Sequence, residues 1–360
     1  MKIIGWMLTR MLFIRFVFIL VGISIFVLTL EVVTYASEIL ALRNNDLSII
    51  FYYFVMRAPV TLSTFLPISV LIALLLVLME LSYRNEMPAI WSAGISPFRI
   101  VLMLLPFAIL AGGLHFLIND QAVPRAAPTL REWGIGDYNE KKLKVGGGER
   151  DPIWMRAGRD ILRAASANSQ ATQLQDVIIF RRDESGLLRE QIMAKTAVLA
   201  QDRWHLSNVL VYYRDNLPPN RLDQMIYSGS FRPAAAGARS GDPEEMSMSD
   251  LGYFIENSGF GIRPAWVYQT WWHKRLTLFV TSLAMIALCV PLAVRFRRGG
   301  GIGMMFAIGI GIGFLFFILD GIAVTMGELG FVTPWFAAWA PVLGLIATAG
   351  FISFRTEQVV

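Results

Sequence analysis

The sequence predicts an α-helical membrane protein in which six transmembrane helices are split three and three around an inserted β-rich domain. Hydrophobic residues make up 55% of the 360 residues and charged residues only 16%, whereas a typical soluble domain has about 25% charged residues. Between about residues 119 and 274 the composition changes, because short apolar and polar runs alternate there between Gly, Asp, Asn and Pro. The insert therefore indicates one domain outside the membrane.

Six apolar runs are long enough to cross a bilayer, because a hydrocarbon core of about 30 Å requires about 20 helical residues. They cover residues 11–35, 58–79, 100–119, 276–294, 301–319 and 333–354. The first contains Arg15 and Glu31 near its ends, where long side chains reach the interface, and the other five contain no charged residue. Glu31 and the five later spans favour a retained first helix over a cleaved signal peptide.

Lysine and arginine near the ends of short loops indicate the cytoplasmic side of a membrane protein. Lys2, Arg10 and Arg15 precede the first hydrophobic core, and Arg295, Arg297 and Arg298 follow the fourth run. Both clusters lie on the same side of a six-span chain, so we expect cytoplasmic termini and an external insert. Lys274 and Arg275 oppose this orientation, but charges at the end of a long domain contribute little to topology.

Strand patterns recur within the insert. Residues 176–182 predict a strand, 183–186 a turn and 187–195 the returning strand. Residues 204–213 predict a further strand whose apolar alternation breaks once, which we interpret as a bulge. An antiparallel sandwich or open barrel is expected, with the strand order left open. The expected divisions are 1–119 with the first three helices, 120–250 with the β domain, and 251–360 with a connecting segment and the last three helices.

Sequence motifs of the common enzyme classes are missing. No Gly-Lys-Ser/Thr occurs, and the glycine run 146–148 is followed by Glu149, which would repel a phosphate. The histidines have no metal-binding spacing, and Cys289 is the only cysteine, so neither an intrachain disulfide nor a thiolate cluster can form. We expect a chain that is not an enzyme and holds no metal or cofactor, with any ATP used by a partner subunit.

The most informative short segment, residues 84–97, joins the second and third spans. Glu86 stands where a short helix would begin and Gly94 where it would end. One interpretation is a solvated connector, in which Glu86 only favours a helix N-terminus. The other is a coupling helix that docks on a cytoplasmic motor, with Arg84, Glu86, Ala93 and Gly94 at the contact. The residue pattern alone favours neither.

Residues 85–96, Asn-Glu-Met-Pro-Ala-Ile-Trp-Ser-Ala-Gly-Ile-Ser, resemble the Ser-Glu-Leu-x-x-Met-x-Ala-Ser-Gly-type segment of the LptF/LptG permease family. These permeases are membrane subunits of the lipopolysaccharide export transporter of Gram-negative bacteria. The resemblance covers nearly the whole chain and includes the helix split, the strand pattern, residues 122–124 and residues 272–276. Residues 311–320 are more similar to LptG than to LptF.

The resemblance implies one permease half of an ABC transporter that extracts lipopolysaccharide from the outer leaflet of the inner membrane. It implies a heterodimer with an LptF-like permease, together enclosing a cavity, and an LptB-like ATPase dimer below it. It also implies a periplasmic β-jellyroll-like insert that passes lipid toward an LptC-like single-helix protein and an LptA-like bridge. Glu86 falls on the family's acidic coupling position, although Met87 and Pro88 replace a more regular helix-forming pair.

With lipopolysaccharide as substrate, basic residues on the expected outer side become candidates for contacts with lipid head groups, with a solvated surface as the alternative. They are Arg131, Lys141, Lys142, Lys144, Lys274 and Arg275. Glu31 stands where family members carry basic residues, so interfacial anchoring is expected for it instead. Gly309 and Gly313 share one helix face and predict close helix packing. Asp320 is expected to be a terminal interface residue rather than a gate.

The alternative function is a non-transporting membrane scaffold or mechanotransmission subunit with a periplasmic interaction domain. Mechanotransmitting ABC permeases usually place the external domain after the first helix, whereas three spans precede it here. A secondary transporter would show charged groups at mid-membrane, which the apolar runs of spans two to six lack.

Overall fold

The computed structural model describes residues 2–43, 46–138, 153–157, 159–167, 172–200, 203–214, 218–228, 242–256, 263–295 and 302–357. Its chain divides into two compact units, one of Met1–Val123 with Thr270–Val360 and one of Pro124–Gln269. The first unit holds the apolar helices and the second holds the sheet. The inserted β domain is therefore confirmed.

The helices before the sheet are α1 (Lys2–Thr34), α2 (Ala36–Ala41), α3 (Ser48–Tyr83), α4 (Glu86–Ser92), α5 (Pro97–Leu117), a π-helical turn (Ile118–Ala122) and α6 (Val123–Trp133). The strands are β1 (Ile153–Ala157), β2 (Asp160–Ala167), β3 (Gln173–Arg182), β4 (Leu188–Ala200), β5 (Arg203–Tyr213) and β6 (Asn220–Tyr227). After the sheet come α7 (Met248–Glu256), α8 (Ala265–Arg295), α9 (Ile302–Glu328) and α10 (Pro334–Glu357).

Six helices of the described part of the chain are long and apolar enough to cross a membrane, so the six predicted spans are confirmed. The helices extend beyond their apolar runs and include Arg57 in α3, Lys274 in α8 and Asp320 in α9. The expectation that spans two to six lack charge is therefore wrong for the complete helices. An apolar run in the sequence ends at the first charged residue. The helix itself can continue beyond that residue when the charged side chain has a partner.

The bundle is packed around α8, whose apolar window is 72% buried, more than that of any other described span. At Gly112 of α5 the two backbones almost touch, since a Cβ atom there would lie 2.6 Å from the carbonyl oxygen of Phe279 in α8. On α9, Cβ atoms at Gly309 and Gly313 would lie 2.8 and 2.7 Å from the Cδ1 atoms of Leu75 and Leu71. The two glycines thus let α9 approach the leucine side chains of α3.

The six strands form one antiparallel sheet in sequential order, β1 to β6, which answers the question of strand order for the described strands. The predicted turn at 183–186 is confirmed between β3 and β4. There Asp183 Oδ1 accepts hydrogen bonds from the backbone N–H groups of Ser185 (2.9 Å) and Leu187 (3.0 Å). The Ser185 hydroxyl donates to the same oxygen and is the main cause that lowers the pKa of Asp183.

The broken alternation in β5 is not a bulge. Asn208 has a positive φ of 53°, and the pairs on either side, Leu206 with Ala197 and Val209 with Ala194, keep one register. Asp176 in β3 has the same backbone conformation, with a φ of 47°. At this level of the sheet β3, β4 and β5 all break the alternation of inward and outward side chains. The same face therefore stays buried on both sides of the break, and no strand has an extra residue there. A register shift does occur between β3 and β4, at Arg181/Arg182.

The sheet coils strongly enough to bring the edge strand β6 into contact with β2. The hydroxyl of Tyr227 in β6 donates a hydrogen bond to Asp160 at the start of β2, although three strands separate β2 from β6. Arg181 lies 3.6 Å from the same carboxylate and over the Tyr227 ring, 5.4 Å from its centroid. The pKa of the Tyr227 phenol is raised well above its usual value, mainly by burial and secondly by the neighbouring Asp160 carboxylate. This coiling agrees with the open-barrel alternative.

We predict that Gly112→Ala destabilises the bundle by about 1–3 kcal/mol, because the new methyl group meets backbone that cannot rotate away. Gly113→Ala is the matched control, since a Cβ atom there has no neighbour within 4 Å, and a helical glycine replaced by alanine gains up to about 1 kcal/mol. Denaturant unfolding in detergent measures both. Equal stability of the two variants would contradict the close contact between α5 and α8.

A second prediction concerns the left-handed residue in β5. Asn208→Val should destabilise the sheet by about 1–2 kcal/mol, because a β-branched side chain clashes at positive φ, and Asn208→Gly should be neutral. Hydrogen exchange of the β4 and β5 amides is the readout. Ser207→Val tests the effect of a β-branched residue at ordinary φ in the same strand. Faster exchange in that control than in Asn208→Val would argue against the conformation described.

Candidate functional site

The segment between α3 and α5 is a short helix held between two left-handed residues. Asn85 precedes α4 with a φ of 60° and Gly94 follows it with a φ of 76°. Met87 and Ile90 are buried in the same apolar core as the spanning helices. The start at Glu86 and the end near Gly94 are thus confirmed, and the Met87-Pro88 pair does not shift the helix start.

The outward face of α4 carries small side chains beside one carboxylate. Ala93 and Gly94 are exposed together with Ala89 and Ser92, and Glu86 is half-buried. Among the described residues no cation lies within ion-pair distance of Glu86, whereas Arg84 pairs with Glu80 at 2.7 Å. A surface of small residues permits close approach by another protein, and the unmatched carboxylate offers an electrostatic contact.

Toward the other end of α3, Glu31 joins α1 to α3 through Arg57. By helix rise, Arg57 lies about 39 Å from Tyr83, where α3 ends beside α4. The Glu31 carboxylate accepts a hydrogen bond from the Tyr53 hydroxyl at 2.8 Å and lies 2.8 Å from Arg57 Nε. All three side chains are largely enclosed. Glu31 therefore neutralises an arginine within the bundle, a structural contact that the sequence did not reveal.

A second polar chain at this end links α3, the π-helical turn and α8. Arg275 is only 2% exposed and donates through Nη1 to Asn119 Oδ1 at 2.6 Å. Asn119 in turn donates through Nδ2 to Ser63 Oγ at 2.5 Å. The sequence did not predict a role for Asn119, because it simply ends an apolar run. A polar residue at the end of a spanning helix could nevertheless have indicated a contact with another helix.

The third contact joins α8 to α9. Lys274 and Asp320 form a close ion pair with side chains only 13% and 16% exposed. Further along the same two helices, Trp271 Nε1 donates to Glu328 Oε1 at 2.6 Å. Asp320 is thus the partner of Lys274 and lies well inside α9 rather than at its end, which corrects the expectation of a terminal residue.

The head-group candidates differ in their surroundings. Lys274 and Arg275 lie together on α8, each with a polar partner from another part of the bundle. Arg131 belongs to the second unit, where it is buried in an ion pair with Glu245, a placement that favours a structural role. Lys141, Lys142 and Lys144 lie outside the described residues. Within the described ranges, no cluster of His, Cys, Asp and Glu could hold a metal ion.

Among the described residues, six spans, an inserted antiparallel sheet and an exposed short helix between two spans define a multi-pass membrane protein with one β domain. Residues 6–355 match the family model described as lipopolysaccharide export system permease LptF/LptG. The chain belongs to this family, as the resemblance of residues 85–96 suggested.

Curated relatives agree with the family. A protein of Haemophilus influenzae named lipopolysaccharide export system permease protein LptG is 24% identical over 310 residues, which cover 83% of this chain and 84% of the relative. The protein of the same name from Escherichia coli K12 is 21% identical over 277 residues, 75% of each chain.

We predict that Lys274→Met alone lowers the free energy of unfolding by about 3–5 kcal/mol, because it leaves the Asp320 carboxylate enclosed without its cation. The double variant Lys274→Met/Asp320→Leu should recover most of the loss, since it removes both charges. Unfolding in detergent measures the cycle. Arg43→Met, which breaks an exposed pair with Asp46, should cost less than about 1 kcal/mol. A double variant no better than Lys274→Met would contradict the pairing.

Proposed function

We propose that this chain is the LptG-like permease half of an ABC transporter that extracts lipopolysaccharide from the outer leaflet of the inner membrane and passes it to a periplasmic bridge. The observation that carries the proposal is the exposed face of α4 with Glu86 at its start, at the position of the family's acidic coupling residue. A solvated connector would not require two buried anchors on so short a helix.

The proposed orientation places both termini and α4 in the cytoplasm and the sheet in the periplasm. It is supported by the lysine and arginine residues before the first hydrophobic core and after α8. The partners are an LptF-like permease, an LptB-like ATPase dimer, an LptC-like single-helix protein and, through it, an LptA-like bridge. The chain itself uses no cofactor, and ATP is hydrolysed by the partner ATPase.

In the proposed mechanism the ATPase dimer pushes on α4 when it closes. Since Met87 and Ile90 are packed in the core of the bundle, α4 cannot yield alone, and the push moves α3 and α5 with it. The pairs Glu31–Arg57 and Lys274–Asp320 keep neighbouring helices together while the cavity narrows.

The lipid phosphates are proposed to bind beside Lys274 and Arg275, as a further partner for cations that Asp320 and Asn119 already contact. Lys141, Lys142 and Lys144 are proposed as further head-group contacts on the basis of their charge alone. Arg131 is assigned to its pair with Glu245 instead. The apolar inner face of the coiled sheet, formed by side chains such as Leu174, Val177 and Ile192, is buried in this structure, so the proposal requires the sheet to open before this face receives acyl chains.

The decisive test is Glu86→Ala in the complete exporter. We expect at least a tenfold loss of ATP-dependent lipopolysaccharide release, since a charge-assisted contact contributes about 1.5–3 kcal/mol and 1.4 kcal/mol is a factor of ten. Glu38→Ala is the matched control, an exposed carboxylate at the opposite end of the bundle. Undiminished release with normal assembly would remove Glu86 from the coupling role. If this chain is purified from its native membrane under conditions that keep other ABC complexes intact and no ATPase accompanies it, the result would favour the non-transporting scaffold.

A further inference from the structure

A groove of about 420 Å³ runs between α1 and α3 on the surface of the bundle. It is lined by Arg15, Phe18 and Ile19 of α1 and by Leu76, Met79 and Glu80 of α3. Phe18 and Leu76 lie about one helical turn farther from α4 along their helices than Arg15 and Glu80. The groove therefore has a charged end, at the side of α4, and an apolar remainder.

The charged end holds two guanidinium groups and one carboxylate. Glu80 contacts Arg15 closely and Arg84 at 2.7 Å, which leaves a formal net charge of +1. Arg15 Nη1 is enclosed with no hydrogen-bond partner among the described residues. The side chain of Arg84 is 61% exposed. The carboxylate thus does not use all the hydrogen-bond donors gathered here.

An apolar channel that ends in excess positive charge fits a ligand with an anionic head and a hydrocarbon tail. Arginine recognises phosphate oxygens with two or more N–H groups at once. Phe18 is 76% exposed beside the groove and offers apolar surface to an acyl chain. Inorganic phosphate would leave this surface uncovered, and a neutral lipid would leave the positive charge unbalanced.

We propose that the groove between α1 and α3 binds an anionic glycerophospholipid, with its phosphate at Arg15 and Arg84 and one acyl chain along Phe18 and Leu76. The site is separate from the lipopolysaccharide contacts proposed at the other end of the bundle. The proposal depends on the proposed function in one respect only. The proposed orientation assigns the bound lipid to the cytoplasmic leaflet.

The test uses the full-length chain, purified with the proteins that accompany it and then delipidated. Native mass spectrometry measures whether phosphatidylglycerol binds to it saturably. Phosphatidylcholine, inorganic phosphate and lipopolysaccharide are the comparison ligands. We expect phosphatidylglycerol to be retained in preference to all three.

The variants change the affinity in opposite directions. Arg15→Gln should weaken phosphatidylglycerol binding about tenfold, because it removes a charge-assisted contact. Glu80→Gln should strengthen binding, because it removes the anion that competes for both arginines. Arg10→Gln, an exposed arginine of the same helix, should leave the affinity unchanged. Leu76→Phe, which fills the groove without altering charge, should weaken binding.

Equal retention of phosphatidylglycerol and phosphatidylcholine would overturn the proposal, and so would wild-type affinity in Arg15→Gln. A shift in the same direction for Arg15→Gln and Glu80→Gln would assign the cluster to folding alone. Retention of lipopolysaccharide only would assign the groove to the transported substrate. The assay requires neither ATP nor transport, so its failure is distinct from failure of the proposed export function.

Discussion

The helical unit depends on one constraint, which is that a charge inside a membrane-spanning helix must find a partner. The observed partners occur in two layers. Arg15, Glu80 and Arg84 form the layer beside α4, and the pairs of Glu31 with Arg57 and of Lys274 with Asp320 belong to the layer at the opposite end. Between them the described residues of the spanning helices include no Asp, Glu, Lys or Arg, and a closely packed apolar core holds the helices together.

This arrangement determines which helices can move independently. Ion pairs tie α1 to α3 toward both ends of α3. Among the described residues, the charged side chains of α8 that contact α9 and the π-helical turn lie at the end remote from α4, and the Cys289 thiol of α8 donates a weak hydrogen bond to Leu71 O of α3 farther along. Among the described residues at the α4 end, α8 and α9 contribute apolar side chains such as Leu292, Ala293 and Phe306 to the core, and apolar packing has no directional preference. Because α4 also anchors at that end, a force applied to α4 acts directly on this apolar packing.

Local patterns made much of this structure predictable, including the six spans, the position of the insert, the turn after β3 and the first residue of α4. Predictions failed where the cause lies far away along the chain. Arg275 meets Asn119 across 156 residues and Lys274 meets Asp320 across 46, and a hydropathy window sees neither partner. The change of alternation in β5 is visible locally, but only the neighbouring strands show that Asn208 turns left-handed without disturbing the register.

The contact of Gly112 with the Phe279 backbone has a consequence for the response to bilayer thickness. No side chain separates α5 from α8 there, so no rotamer can change to let the two helices spread apart. A thicker or thinner bilayer is accommodated by helix tilt. Because the contact at Gly112 is fixed, α5 and α8 must then rotate relative to each other about this contact point. Lipid thickness would consequently change the angle between α5 and α8 while leaving their separation at Gly112 fixed.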